Sequence, residues 1–297
     1  MLGDLFSIVV PVYICAGIGF LWVRSGRAYD TALMTDLIFY IGGPCLVFSS
    51  LVSQSIGRES IEQMFLAVVV AFVMLALLAA FVLRLTRQSL RTFLAPMTFG
   101  NAGNMGLPLC YFAFGDPGLE LGICFFVVGT LAHFTIGQAV WSEKPSFWIL
   151  FQSPIVWSVA LAVLFVGAGI PVPRWLMRTT GLLGDFTIPI MQLTLGVSLA
   201  GFGIRNVGRS VGLSVLKIGG GALVGWSVAS LLGLEGVARG VLILQCAMPV
   251  AVFNYMFAVR FNREPGEVAS VIVASTLMAL IAMPVLIGLL MLPASGG

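Results

Sequence analysis

The most restrictive feature of this sequence is a succession of apolar runs, each about twenty residues long, separated by short polar connections. About twenty residues of α-helix cross the hydrocarbon core of a bilayer, so these runs predict transmembrane helices. Hydrophobic residues make up 59% of the chain and charged residues 9%, which fits an integral membrane protein and not a water-soluble domain. We predict an all-α membrane protein, one unit over residues 1–297, with ten transmembrane helices at 4–23, 33–52, 63–83, 92–114, 118–140, 147–169, 182–203, 210–232, 237–259 and 267–292.

Basic residues fall mainly on one side of the predicted spans, and the positive-inside rule makes that side cytoplasmic. Both termini are then outside, and the first span is expected to be retained because it lacks a basic leader region and a cleavage site. We expect a multi-pass protein of the plasma membrane, which in a bacterium is the inner membrane. The richer side carries Arg24, Arg27, Arg84, Arg87, Arg91, Lys144, Arg205, Arg209, Arg260 and Arg263, and the other side carries Arg58, Arg174, Arg178 and Arg239.

The fourth predicted span contains a stretch that should interrupt its helix, Phe99 to Pro108. Glycine loses the most backbone entropy in a helix, and proline lacks a donor and clashes with the preceding turn. Non-helical backbone at membrane depth must be buried in protein or line a cavity, because unsatisfied polar groups are costly in hydrocarbon. Secondary transporters use such discontinuous helices to bind substrates or ions. The alternative is a proline-kinked helix whose glycines only permit close packing.

The two halves of the chain resemble each other when spans one to five are laid over spans six to ten. The clearest correspondence pairs Asn104 and Pro108 in span four with Gln245 and Pro249 in span nine, because each pair places an amide side chain four residues before a proline. Five is an odd number of spans, so the two halves have opposite orientations in the membrane. We therefore predict a 5+5 inverted repeat, residues 1–141 and 147–297, whose broken spans four and nine cross near the midplane.

Motifs for other kinds of function are missing from the sequence. A single histidine, without metal-ligand spacing or a Ser/His/Asp arrangement, argues against an enzyme, a bound metal or a cofactor. A net charge of +3 without a basic cluster argues against nucleic-acid binding. The cysteines lie in apolar segments without paired spacing, and we interpret all of them as buried small hydrophobic residues: Cys15, Cys45, Cys110, Cys124 and Cys246.

The segment Asn101 to Pro108 resembles the fourth span of the auxin efflux carrier family of membrane transporters, and the segment Pro249 to Pro265 resembles its span-nine crossover. The resemblance implies a fold like that of sodium/proton antiporters and bile acid symporters. In that fold a transport domain of spans three to five and eight to ten moves by an elevator mechanism beside a dimerising scaffold of spans one, two, six and seven. The chain departs from the plant carriers in having only residues 142–146 between spans five and six, and Asn254 in place of another proline.

The same resemblance makes Asn101 the expected contact for a substrate carboxylate, although its alternative role is to cap the helix break. Neutral amides suit an anion site because they leave no permanent charge buried when the site is empty. The helix ends that follow the two prolines should add amide donors. We expect further substrate contacts from Asn104, Gln245 and Asn254, and a crossing point formed by Gly103, Gly106, Pro108 and Pro249.

Three titratable residues within predicted spans each have two interpretations. Lys217 either extends to the cytoplasmic interface or acts as an electrostatic partner for substrate. His133 either relays protons or packs with a hydrogen bond. Asp185 either contributes to an ion site or lies at a helix entrance near water.

These features predict a secondary transporter of small organic anions, mono- or dicarboxylates that are auxin-like or malonate- and malate-like. Its predicted partners are the small carboxylate, the lipid bilayer and, by resemblance, a second copy of the chain. Coupling to Na⁺ or H⁺ stays open, since unwound carbonyls can bind sodium without a side-chain signature. One rival is an exchanger of the sodium/proton class, which would need an intramembrane carboxylate at the crossing. The other is a membrane receptor or scaffold that does not transport.

Overall fold

The computed structural model describes residues 2–53, 58–142, 153–203 and 205–291, and within these ranges the chain forms helices and contains no β-strand. Most of the predicted connection 142–146, with Lys144, and the beginning of the span predicted at 147–169 lie outside the described residues. The helices are α1 (Leu2–Arg24), α2 (Thr31–Leu37), α3 (Gly43–Val52), α4 (Arg58–Leu85), α5 (Leu90–Thr98), α6 (Leu107–Ala132), α7 (Gln138–Ser142), α8 (Pro154–Gly167), α9 (Arg174–Gly201), α10 (Val207–Val215), α11 (Gly221–Leu231), α12 (Gly236–Cys246), α13 (Phe253–Arg260) and α14 (Pro265–Met291).

Apolar helices long enough to cross a membrane make this a multi-pass membrane protein. Within the described ranges six segments qualify by length and composition: Thr31–Val52, Glu59–Leu85, Ala102–Trp141, Arg174–Gly201, Val207–Leu231 and Pro265–Met291. Three shorter apolar stretches, Val10–Arg24, Pro154–Gly167 and Gly236–Cys246, accompany them.

The segment Ala102–Trp141 bends back inside its own length. Its 40 residues would extend about 60 Å as one straight helix, twice the thickness of the hydrocarbon core. Gly115 has φ +66° and ψ −156°, a conformation open mainly to glycine, and Pro117 follows it. The boundary predicted between 92–114 and 118–140 is therefore a sharp kink and not an open connection.

Within the described ranges four π turns of five residues interrupt the helices, and each ends in glycine: Ile38–Gly42, Ala102–Gly106, His133–Gly137 and Leu216–Gly220. A π turn holds one extra residue, so it changes which side chains face a given neighbour, and it is frequent at functional sites. All four contribute residues to the region described below.

The helices pack as two groups. Helices α1, α3, α8 and α9 pack mainly on one another, and close approach of α1 to α9 depends on small residues, since a Cβ at Gly196 would collide with the Ala16 carbonyl oxygen. Helices α4 to α6 and α10 to α14 form the second group around a large buried core. The groups touch where α1 meets α6 and α14, including a 2.7 Å hydrogen bond from the Tyr13 hydroxyl to the Leu280 carbonyl.

Several arginines predicted to lie on the cytoplasmic side meet at one end of the second group. Arg209 at the start of α10 forms a 2.9 Å ion pair with Glu267 at the start of α14, and its guanidinium lies 5.6 Å from the centre of the Phe93 ring in α5. The backbone N–H of Arg205 donates to Ser270 in α14. These contacts place the starts of α5, α10 and α14 at the same end of the molecule.

Candidate anion site at the crossing of two broken helices

The first helix break consists of residues 99–101, between α5 and the π turn Ala102–Gly106. Phe99 has extended backbone angles, φ −96° and ψ 110°, which end α5. Gly100 is required here for close approach, because a Cβ would lie 3.0 Å from the Met248 carbonyl oxygen and 3.3 Å from Lys217 Nζ. The second helix break consists of residues 247–252, between α12 and α13.

The two breaks cross through an isolated antiparallel β-bridge between Gly100 and Val250. Asn101 N–H donates to the Pro249 carbonyl at 2.7 Å, and Ala251 N–H donates to the Phe99 carbonyl at 3.3 Å. The side chain of Ser275 in α14 accepts a 3.1 Å hydrogen bond from Val250 N–H. These bonds satisfy backbone groups that neither helix can satisfy alone.

The two prolines occupy different positions relative to the crossing. Pro249 lies within it, whereas Pro108 lies in the first turn of α6, beyond the π turn. The helix therefore restarts at Ala102, six residues before Pro108. The extra residue of the π turn loosens the hydrogen-bond ladder just ahead of the proline, which lacks a donor and crowds the preceding turn.

Unpaired donors collect where the helix restarts after the first break. The N–H groups of Gly103 and Asn104 donate to no protein group within the described ranges, as expected at a helix N-terminus. The Asn101 side-chain Nδ2 is buried and also has no partner there. After the second break, the N–H groups of Val252 and Phe253 are likewise unpaired. Helix N-termini carry partial positive charge, so these ends favour an anion.

A small inner cavity of about 60 Å³ lies against the first break. Asn101, Gly103 and Asn104 line its polar side. Seven aromatic rings line much of the rest: Phe39, Phe72, Phe99, Phe126, Phe134, His133 and Phe253. The absence of a Cβ at Gly103 brings the Phe126 ring against the π turn, because a Cβ would lie 2.9 Å from that ring. The inner cavity thus combines unpaired donors with an apolar aromatic wall.

A larger cavity of about 580 Å³, which we call the vestibule, lies next to the inner cavity. Ile38, Asn104 and Phe253 line both spaces. The vestibule extends past the end of α9 to the connection between α1 and α2, which is the end predicted to be cytoplasmic. A solute in the vestibule would therefore meet Asn104 before Asn101.

Asn254 and His133 form a buried pair beneath the crossing. Asn254 Oδ1 lies 3.0 Å from His133 Nε2, and its Nδ2 donates to the carbonyls of Ala251 at 3.0 Å and Phe99 at 3.4 Å. The His133 ring stacks on Phe99 with centroids 4.4 Å apart. Asn254 is fully buried and fixes both breaks, so its geometry serves to position the crossing, whereas His133 also lines the inner cavity.

Lys217 lies at the crossing and not at the membrane interface. Its side chain is buried, and Nζ lies 3.4 Å from the Thr98 carbonyl at the end of α5. The C-terminal end of a helix carries partial negative charge, which favours a cation there. No carboxylate pairs with Lys217 within the described ranges. A buried positive charge without a counter-ion next to Gly100 raises the electrostatic potential at the site.

Gln245 and Asp185 lie outside both cavities. The Gln245 amide is buried against the π turn, where a Cβ at Gly106 would collide with its Oε1, and neither amide atom has a hydrogen-bond partner in the described part of the chain. Gln245 therefore lines neither cavity, although Asn104, which occupies the corresponding position in the other half of the repeat, lines both. Asp185 is exposed on α9 and lines neither cavity.

A cluster of phenylalanine rings was not predicted from the sequence. Phe39, Phe134 and Phe253 come from three separate elements and pack with centroids 5.2 to 6.0 Å apart. All three line the inner cavity, and Phe253 also lines the vestibule. The only sequence signal for them is an aromatic side chain within or beside an apolar run, which is too common to single them out.

Two broken helices that cross inside a multi-pass helical protein define the architecture of a membrane transporter. The sequence matches the family described as membrane transport protein over residues 4–146 and 140–287. The chain therefore belongs to this family, and the resemblance to the auxin efflux carriers is confirmed.

Two similar proteins carry names that agree with this assignment. An uncharacterized transporter of Methanocaldococcus jannaschii is 20% identical over 265 residues, which cover 84% of this chain and 86% of that protein. An uncharacterized transporter of Methanothermobacter thermautotrophicus is 26% identical over 196 residues, which cover 62% of this chain and 63% of that protein. The family and these relatives are transporters and not enzymes.

Proposed function

We propose that this protein is a secondary transporter of small organic anions, mono- or dicarboxylates, that binds them at the crossing of the two helix breaks. The observation that carries the proposal is the group of three unpaired donors at the inner cavity: Asn101 Nδ2 and the N–H groups of Gly103 and Asn104. A carboxylate needs several donors when it leaves water, and these donors have no competing protein acceptor.

Charge near the crossing supports an anion in preference to a cation. The Lys217 ammonium and the N-terminal ends of two helical segments contribute positive potential, while the described residues that line the inner cavity include no Asp or Glu. The rival sodium/proton exchanger would need a carboxylate at this position. Lys217 therefore acts as an electrostatic partner of the substrate, and His133 holds Asn254 in place or relays protons.

The two-group packing of the helices supports an elevator-type transport cycle. A 5+5 inverted repeat with both termini outside would make α1, α2, α3, α8 and α9 the scaffold, and the remaining helices would slide past it as the transport domain. In the conformation described here the vestibule reaches the predicted cytoplasmic end, and Phe253 lines both the vestibule and the inner cavity. A homodimer through the scaffold completes the proposed assembly.

The test is charge movement in proteoliposomes on a solid-supported membrane, with pulses of malonate, malate, lactate and indole-3-acetate. We expect a substrate-dependent current that Asn101→Ala abolishes without loss of folded protein, and its response to sodium or pH identifies the coupling ion. An electroneutral cycle would give no current, and uptake of labelled substrate under a pH gradient would detect it. Undiminished transport by Asn101→Ala would overturn the proposed site, and binding without any flux would favour the receptor.

A further inference from the structure

The vestibule is lined by a cation, Arg27, that forms no ion pair with the described residues. Among the described residues that line the vestibule and the inner cavity, Arg27 is the only Lys or Arg. No carboxylate lies within ion-pair distance of its guanidinium in the described part of the chain. Arg27 belongs to the short connection between α1 and α2.

The guanidinium is held in place by the Trp22 side chain. Its central carbon lies 4.7 Å from the centre of the indole ring, and the indole Nε1 donates at 3.0 Å to the Ala28 carbonyl on the other side of Arg27. Gly26, with φ +80°, allows the turn that returns the chain over Trp22. The guanidinium forms no hydrogen bond or ion pair with another described residue, so its N–H donors are available to a carboxylate, which an arginine can bind with two hydrogen bonds.

The other polar groups around the vestibule are mainly neutral hydroxyls. Thr194 donates to the Ile190 carbonyl, so the Tyr29 hydroxyl donates the 2.7 Å bond that joins Tyr29 to Thr194. Burial raises the pKa of the Tyr29 phenol above its ordinary value of 10, although its hydrogen bond with Thr194 acts in the opposite direction. Tyr29 thus adds no negative charge. Asp36 is the acidic residue that lines this space, and it opposes an entering anion.

We propose that the vestibule is an anion-capture site, at which Arg27 binds the carboxylate of an incoming solute before the solute reaches Asn101. Its role in transport rests on the proposed function, but binding at Arg27 does not. The two charged residues that line the vestibule should act with opposite signs: removal of Arg27 weakens capture, and removal of the Asp36 charge strengthens it.

Trp22 provides a direct measurement, because it lies under the proposed site. Full-length protein in detergent is titrated with 4-nitrobenzoate, a carboxylate that quenches indole fluorescence, and with its uncharged analogue 4-nitrobenzamide. We expect saturable quenching by the carboxylate only, lost in Trp22→Phe, weakened at least tenfold in Arg27→Gln and tightened several-fold in Asp36→Asn.

Arg24→Gln is the matched control. Arg24 is the last residue of α1, the helix that contains Trp22, and its guanidinium also lies near an aromatic ring, 5.5 Å from that of Phe20. Arg24 lines neither cavity. The fluorescence of this variant should be quenched as that of the wild type is, because Arg24 does not line the vestibule. Equal quenching in wild type and Arg27→Gln, equal quenching by the amide, or no saturable quenching would overturn the proposal. If Arg27-dependent quenching is present while no carboxylate is transported, the capture site stands and the proposed function fails.

Discussion

Asn101 and Asn254 are both buried at the crossing, yet their side chains have opposite hydrogen-bond status. The Asn101 Nδ2 has no protein partner, whereas Asn254 bonds to His133 and to the carbonyls of Phe99 and Ala251. A donor without a protein partner adds little to folding and remains available for a ligand, while a satisfied buried amide stabilises the fold. The two residues should therefore differ in what their removal costs.

We expect Asn254→Ala to lower the free energy of unfolding by about 2–4 kcal/mol, because it leaves the buried His133 Nε2 without its partner and removes one of the hydrogen bonds that the Phe99 and Ala251 carbonyls accept. Asn101→Ala should change it by less than about 1 kcal/mol while it removes transport. Thermal unfolding in detergent, beside an uptake assay, separates the two effects. Equal destabilisation by both variants would contradict the assignment of Asn101 to the ligand.

Lys217 can be tested by removing its charge and keeping its shape. Lys217→Met retains most of the buried volume and relieves the cost of a buried unpaired charge, so thermal stability should stay the same or rise. Transport of an anion should fall at least tenfold, because the positive potential beside Gly100 is lost. Normal transport by a stably folded Lys217→Met variant would show that the charge does not act on the substrate.

Sequence reasoning identified Asn101, His133 and Lys217 as individual residues but not the contacts among them. His133 and Asn254 are 121 positions apart, and Lys217 and the Thr98 carbonyl are 119 apart. Periodicity describes neighbours on one helix, so it carries no information about partners at such separations. The same reason explains why Gln245, related to Asn104 by the repeat, turned out to pack against Gly106 and away from the cavities.

At the scale of the helical elements, the sequence predicted that the fourth span would break between Phe99 and Pro108, and the structure places the break at residues 99–101. The glycines and the proline revealed that the ladder is weak there. They did not reveal which residue leaves the helix, because that choice depends on Met248 and Val250 in another span. The π turns follow the same pattern, since only packing decides where an extra residue is tolerated.

The glycine run before α11 gives a prediction with an internal control. A Cβ at Gly221 would collide with the Cys246 carbonyl oxygen at the end of α12, whereas a Cβ at Gly219 would meet no atom within 4 Å. We expect Gly221→Ala to destabilise the fold by about 1–3 kcal/mol and Gly219→Ala to be neutral or stabilising by up to about 1 kcal/mol. Thermal unfolding measures the stability of both variants. Similar stabilities would mean that α11 does not pack closely against the end of α12.

At the scale of the whole molecule, hydropathy was sufficient to predict a multi-pass helical protein, because bilayer thickness fixes the length of an apolar run. How the helices group could not be read from the same pattern, since every apolar helix can pack on any other in lipid. The structure supplies that grouping, with glycines such as Gly196 at the close contact of α1 and α9. The proposed transport cycle requires movement at the interface between the two helix groups.

The central claim is that the crossing of the two breaks is reached alternately from both sides of the membrane. Thr130 lines the inner cavity and is not a predicted substrate contact, so Thr130→Cys, with the native cysteines replaced by alanine or serine, reports access to that cavity. A membrane-impermeant thiol reagent is applied to either face of oriented vesicles under conditions in which the variant transports. The account predicts reaction from both faces, with substrate protecting the cysteine. Reaction from one face only, with transport intact, would contradict it.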